Sequence, residues 1–348
     1  MKRSLFVSLM IVALIGVIAG CERKVVVENT DDGGFSNCFT CHTESNTAFL
    51  QAQGEWANSV HASGSNVDYT NRGDGSDCTR CHNHQGFIEF LETGSLSAPY
   101  DAVSAIHCFT CHAPHETGTM DLRTVEPYTL ENDVEFDHGE GNLCVNCHHS
   151  RVNGSTFTDD YAITSSRFGP HYGPQGDIIQ GTNGYQGFPG YVYATSTHST
   201  VVRDACAGCH MGNPNSHDGY MIGGHTWNMT DEETGSNIVG YCTPCHAGAT
   251  STTGYNFPAP ADYDGDAAIE GYQSEFDGLV ATLKAELVTD TLLNNTTDLA
   301  IVRTVADRHK VGALWNYKMA KYEASHGVHN FKYIKSLLEA SIDYLQAN

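Results

Sequence analysis

The chain has 348 residues, with 41 Asp or Glu against 18 Lys or Arg, for a net charge of −23. So acidic a surface excludes nucleic acid and anionic lipid headgroups as ligands and suits basic partners or metal cations. It holds 13 cysteines, 19 histidines and 35 glycines, and long periodic apolar runs are rare before about residue 260, so an ordinary hydrophobic core is hard to assemble there.

The first predicted element is a leader. Lys2 and Arg3 precede an apolar run from Leu5 to Ala19, and the segment ends Ile18-Ala19-Gly20-Cys21. The run is short for a membrane span and carries small residues at its end. It resembles a bacterial lipobox, which makes residues 1–20 a signal peptide and Cys21 the lipidated mature N-terminus; a plain signal peptide or a retained anchor is the alternative. Every version exports the chain, to the outer membrane as a lipoprotein, to the periplasm or to the cell surface. Removing residues 1–20 takes two basic residues and no acidic one, which deepens the charge from −23 to −25. Residues 21–37, with Asp31, Asp32, Gly33 and Gly34, read as a flexible tether. Its sixteen residues between Cys21 and Cys38 reach about 53 Å stretched or roughly 22 Å as a coil.

Six copies of Cys-X-X-Cys-His follow: Cys38–His42, Cys78–His82, Cys108–His112, Cys144–His148, Cys206–His210 and Cys242–His246. Composition alone would give roughly 0.02 copies. The paired thiols are Cys38 and Cys41, Cys78 and Cys81, Cys108 and Cys111, Cys144 and Cys147, Cys206 and Cys209, and Cys242 and Cys245. Each motif reads as an attachment site for c-type haem, because a two-residue gap lets both sulfurs reach the two vinyl groups of one macrocycle. The next residue, His42, His82, His112, His148, His210 or His246, is then held against one face of the iron. A zinc site or a redox dithiol would not require the trailing histidine in every copy. The expected cofactor is thus six covalently bound haems c. Residues 38–258 form the hexahaem region: haem-organised, mostly irregular loops with short α-helices and little β structure.

Thirteen histidines remain to cap the other faces of six irons. Local context singles out His61 after Trp56, His115 after Cys111-His112-Ala113-Pro114, and His171 in Gly169-Pro170-His171-Tyr172-Gly173. His198 lies shortly before the fifth motif, and His225, in Gly223-Gly224-His225-Thr226-Trp227, shortly before the sixth. For the sixth ligand His329 is the first choice, with His107, His138 and His149 as alternatives and donation by another subunit open. Met120, Met211, Met221, Met229 and Met319 sit in no recognisable axial context.

The character changes after Pro260. Phe276, Leu279, Val280, Leu283 and Leu287 predict a helix near 266–288, and a second is predicted over about 297–325. Phe331, Ile334, Leu338, Ile342 and Leu345 predict a third over about 330–346. Gly327 suits the stop between the last two. Residues 259–348 therefore form a helical C-terminal segment with no Cys-X-X-Cys-His.

The stretch from Trp56 to His61, Cys108-Phe109-Thr110-Cys111-His112-Ala113-Pro114-His115, Gly169-Pro170-His171-Tyr172-Gly173-Pro174-Gln175, Gly224-His225-Thr226 and Asn142-Leu143-Cys144 resemble the large multihaem cytochromes of metal-reducing bacteria. Six haems match the OmcS-like count, and the OmcS-like and OmcE-like members polymerise into filaments; the lipobox departs from that pattern. The resemblance implies electron transfer to redox proteins or extracellular acceptors such as metal oxides, a membrane link through lipid, and a homopolymer as one form of assembly. The tail around Ser325-His326-Gly327-Val328-His329 also resembles the C-terminal helices of multihaem nitrite reductases, but their catalytic Cys-X-X-Cys-Lys motif has no counterpart here.

Two functions of different class follow. An electron-transfer protein needs imidazole on both faces of every iron and no acid–base residue. A reductase of nitrite, hydroxylamine or a sulfur oxyanion needs at least one open iron in a pocket with proton donors, and no catalytic constellation stands out in the sequence.

Overall fold

The computed structural model describes residues 46–63, 67–71, 78–212 and 221–348. Cys21, Cys38, Cys41, His42 and the predicted leader and tether lie outside the described residues, as does His217. Between residues 46 and 260 the chain is mostly irregular, with short helices. In order these are α1 (Thr47–Ala57), α2 (Val67–Thr70), α3 (Thr79–His82), α4 (His84–Thr93), α5 (Cys108–Cys111), α6 (Pro114–Thr117), α7 (Gly141–Val145), α8 (Gln175–Gln180), α9 (His198–Val201) and α10 (Ala205–His210). Side chains cap the longer ones: Asn46 accepts from Phe49 N at 3.1 Å on α1, and Asn83 from Gly86 N at 2.8 Å on α4.

Little β structure is present. Strand β1 (Tyr128–Thr129) pairs antiparallel with β2 (Glu135–Phe136), with Tyr128 opposite Phe136. Strand β3 (Tyr161–Ile163) pairs antiparallel with β4 (Arg303–Val305), with Tyr161 opposite Val305, and so ties the loop region to the C-terminal part.

Three long helices close the chain: α11 (Tyr272–Thr289), α12 (Arg308–Glu323) and α13 (Phe331–Ala347). They pack on one another and on residues 157–193, burying Phe276, Leu283, Leu287, Trp315, Tyr317, Tyr333 and Leu338 in one core with Phe157, Ile178 and Tyr185. Two polar side chains of this core are paired: Trp315 Nε1 donates to Asn183 O at 2.8 Å, and Asn316 Oδ1 accepts from Tyr185 N at 2.7 Å. The predicted apolar faces of α11 and α13 therefore cover each other and the central loops.

Two helix starts differ from the sequence expectation. Helix α11 begins at Tyr272 because the preceding loop gives its backbone N–H groups to buried Glu275, from Tyr263 at 2.6 Å and Glu270 at 2.9 Å. Helix α12 begins at Arg308, not near 297. Asn294 Oδ1 takes the N–H groups of Thr296 and Thr297 at 3.0 Å each and holds a turn, and Asp307 then caps the helix by accepting from His309 N at 2.8 Å. After Glu323, Ala324, His326 and Gly327 all take the left-handed conformation that turns the chain into α13.

Candidate haem-binding site

Each described motif closes one tight turn. The histidine N–H donates to the carbonyl of the first cysteine at 3.1 Å for His82, 2.9 Å for His112, 3.0 Å for His148 and 2.7 Å for His246. In the fifth motif the turn lies within α10. This i to i+4 closure brings both sulfurs to one side of the turn with the imidazole beside them. None of the ten described cysteines forms a disulfide.

The five described motif histidines do not stand alone. His148 faces His61 with ring centres 6.2 Å apart, His82 faces His171 at 6.1 Å, and His112 faces His225 at 6.2 Å. His246 faces His198 at 6.2 Å and His210 faces His329 at 6.3 Å. An imidazole nitrogen about 2 Å from a metal on each side of it places two ring centres about 6.3 Å apart. The rings cross at 74°, 83°, 48°, 74° and 50° respectively, too steeply for stacking. His115 is exposed, with its ring 5.4 Å from Phe109, and no described motif histidine faces it.

Hydrogen bonds fix which nitrogen is free. Nδ1 of His210 donates to Trp227 O at 2.8 Å, that of His198 to Val328 O at 2.9 Å, and that of His112 to Asp121 O at 3.4 Å. Nδ1 of His148 donates to Gln175 Oε1 at 3.3 Å, and that of His329 to the Glu323 carboxylate at 2.8 Å. A carbonyl or carboxylate only accepts, so in these five rings Nδ1 carries the proton and Nε2 keeps its lone pair. Lost hydration lowers the pKa of His61 and His171 to about 4. It also lowers those of His82, His210, His225 and His148, the last crowded by protein atoms although its ring still reaches solvent. Neutral imidazoles with a free Nε2 are the donor form that iron requires, so these residues fit bis-histidine haem.

The alternatives are engaged elsewhere. His149 is fully buried, with Nδ1 on Ser150 O at 2.6 Å and Nε2 2.8 Å from Arg80. His138 places Nε2 2.8 Å from Gln180 Oε1, and His107 Nδ1 accepts from Phe109 N at 3.3 Å as the cap of α5. His309 bonds Tyr185 at 2.9 Å, and His326 lies 2.7 Å from Asp277.

Three features were invisible in the sequence. The motifs touch: a Cβ on Gly141, just before the fourth, would lie 3.0 Å from Asp204 O and 3.1 Å from Ala205 Cβ, just before the fifth. The second and fourth motifs also exchange contacts, Cys81 Sγ to Asn146 O and Cys147 Sγ to Arg80 O, both at 3.8 Å. Trp227 joins three sites, its indole 4.7 Å from the His61 ring and 5.6 Å from the His225 ring while its carbonyl holds His210. Finally, Glu55 and Glu323 are buried carboxylates beside His225 and His329. A Cβ on Gly224, whose φ is +49°, would lie 2.2 Å from Glu55 Oε2, so only glycine lets that carboxylate approach.

No protein-family model matches the chain. The C-type polyheme cytochrome OmcB of Geobacter sulfurreducens is 24% identical over 361 aligned positions, covering 91% of this chain and 45% of OmcB. The chain is a distant homologue of the multihaem c-type cytochromes. OmcC of the same bacterium is 23% identical over 345 positions, covering 77% of this chain and 42% of OmcC. The chain therefore spans less than half the length of these curated relatives. The crystal structure of the outer cell wall cytochrome OcwA shares its fold, with a TM-score of 0.51 and 20% identity over 84% of this chain and 50% of OcwA.

Proposed function

We propose that this chain is a hexahaem electron-transfer protein in which every iron has two histidine ligands. The observation that carries the reading is the set of five histidine pairs with ring centres 6.1–6.3 Å apart, each joining a motif histidine to one distant in sequence. Haem held this way exchanges one electron between ferric and ferrous iron. The chain's own part is to fix the donors: Cys78, Cys81, Cys108, Cys111, Cys144, Cys147, Cys206, Cys209, Cys242 and Cys245 supply the sulfurs, and carbonyls and side-chain acceptors on Nδ1 turn Nε2 toward the metal. For the first motif, Cys38, Cys41 and His42 take the same roles, and His115 is the proposed second ligand. Each described motif histidine faces a second imidazole, which does not suit a reductase with an open iron.

The contacts between motifs support a series of sites in which the fourth motif lies between the second and the fifth, not one that follows chain order. The leader and Cys21 support export and a lipid anchor, so we propose that the protein works at the outer cell surface, passes electrons to redox proteins or to oxidised metal, and does not form free filaments. Mass measurement of the exported protein tests the reading. Six haem adducts and a diacylated Cys21 are expected; fewer adducts would overturn the cofactor count, and filaments in micrographs of the native protein would overturn the anchored form.

A further inference from the structure

The five pairs differ in what their Nδ1 atoms touch. His210, His198 and His112 donate to backbone carbonyls, and His148 to an amide. His329 alone donates to a charged group, the Glu323 carboxylate at 2.8 Å, which is 1% exposed. That carboxylate is fixed from its other side by Ser325 Oγ at 2.9 Å, and His329 N donates back to the same hydroxyl at 3.0 Å. A second buried carboxylate, Glu55, lies 3.6 Å from His225 Nδ1, beyond hydrogen-bond length. Its oxygens are taken instead by His225 N at 2.9 Å and Gln51 Nε2 at 2.7 Å.

A carboxylate on the far nitrogen of a ligating imidazole orients the ring and makes it a stronger donor. Stronger donation, and a negative charge held in a poorly screened interior, both favour ferric over ferrous iron. We infer that Glu323 sets the haem of the fifth motif at the low-potential end of the series, with Glu55 acting in the same direction but more weakly on the haem of the third. Both are positioning and tuning residues, since neither touches a metal. The fifth motif adjoins the fourth, where Gly141 lies against Asp204 and Ala205, so this low-potential site neighbours the fourth haem and is reduced last.

This inference rests on the bis-histidine reading, and one experiment separates the two. The full-length, haem-loaded protein and its Glu323→Gln variant are first assayed for haem content and low-spin fraction, then titrated potentiometrically. Glu323→Gln should raise the reduction equilibrium constant of one haem in six by at least about tenfold, a shift of about 59 mV for a one-electron couple, and leave the others in place. Glu55→Gln should move a different haem by less. Ser325→Ala, which removes a donor from the carboxylate without removing its charge, should move the Glu323-sensitive haem the opposite way, a sign reversal that loosened packing would not give. Exposed Asp159, 3.7 Å from Arg308 and beside no motif, is the control, and Asp159→Asn should move nothing. Six low-spin haems with unmoved potentials in both glutamine variants would overturn the inference alone; missing or high-spin haem in the unmodified protein would overturn the reading beneath it.

Discussion

Replacing His329 by alanine removes one imidazole from one pair, and the structure says how far the damage extends. His329 faces only His210, at 6.3 Å, so one iron in six should lose a ligand. The reduced variant should bind one carbon monoxide per protein while the unmodified protein binds none. The change also removes the donor 2.8 Å from buried Glu323, which keeps Ser325 Oγ at 2.9 Å and Gly327 N at 3.4 Å. With those donors in place, the lost hydrogen bond to a charged group costs about 1.5–3 kcal/mol, not the larger penalty of a stranded buried charge, and the lost imidazole–iron bond adds to it. Urea unfolding of His329→Ala measures it, and the double variant with Glu323→Gln should recover part of the loss. His326→Ala is the neighbouring control: that ring is exposed, lies 2.7 Å from Asp277, and should change neither measurement. Carbon monoxide binding that is unchanged in His329→Ala, or that involves several irons, would refute the pairing of His210 with His329.

Other outcomes follow from the same contacts. Trp315→Ala should cost about 3–5 kcal/mol in urea unfolding and leave the haem count intact, since the indole lies in the helical core and not beside a motif. Gly141→Ala should destabilise by about 1–3 kcal/mol, because a Cβ there would sit 3.0 Å from Asp204 O and 3.1 Å from Ala205 Cβ and push the fourth motif off the fifth. Trp227→Ala should alter the low-spin EPR signals of the third and fourth haems together, since its ring packs on both His225 and His61. Burial raises the Asp177 carboxyl from 3.8 to about 6, so the native state keeps a proton that the unfolded chain releases. Its stabilising contribution is therefore present at low pH and falls as pH rises through that window, by up to about 3 kcal/mol. Asp177→Asn should gain stability relative to the unmodified protein between pH 4 and pH 7, and a difference that stays constant over that range would contradict the shift.

Legibility in the sequence followed the range of the chemistry. The Cys-X-X-Cys-His motifs are five contiguous residues whose roles depend on one another, so they can be read without a fold. Context around the other histidines carried further information than simple counting. Gly169 before His171 takes φ +147°, a conformation that favours glycine, and Gly224 precedes His225 because Glu55 needs the space. The structure sets His61, His171, His198, His225 and His329 each opposite a motif histidine. Which motif each would face was not readable, because the pairings join loops remote in sequence and skip over one another. The same is true of Glu55 and Glu323, which sit on helices with nothing local to mark them as neighbours of a paired histidine. In the tail, apolar spacing revealed α11 and α13, whose buried faces are continuous. It misplaced the start of α12, where Asn294 and Asp307 decide the backbone through their own hydrogen bonds.

Low-temperature EPR of the fully oxidised, haem-loaded protein tests the pairing of imidazoles most directly. Only low-spin ferric signals should appear, integrating to six irons per chain, with the three steepest ring crossings, 74°, 74° and 83°, giving the most anisotropic among them. A high-spin signal amounting to one iron or more would show that a motif histidine lacks the opposing ring assigned to it.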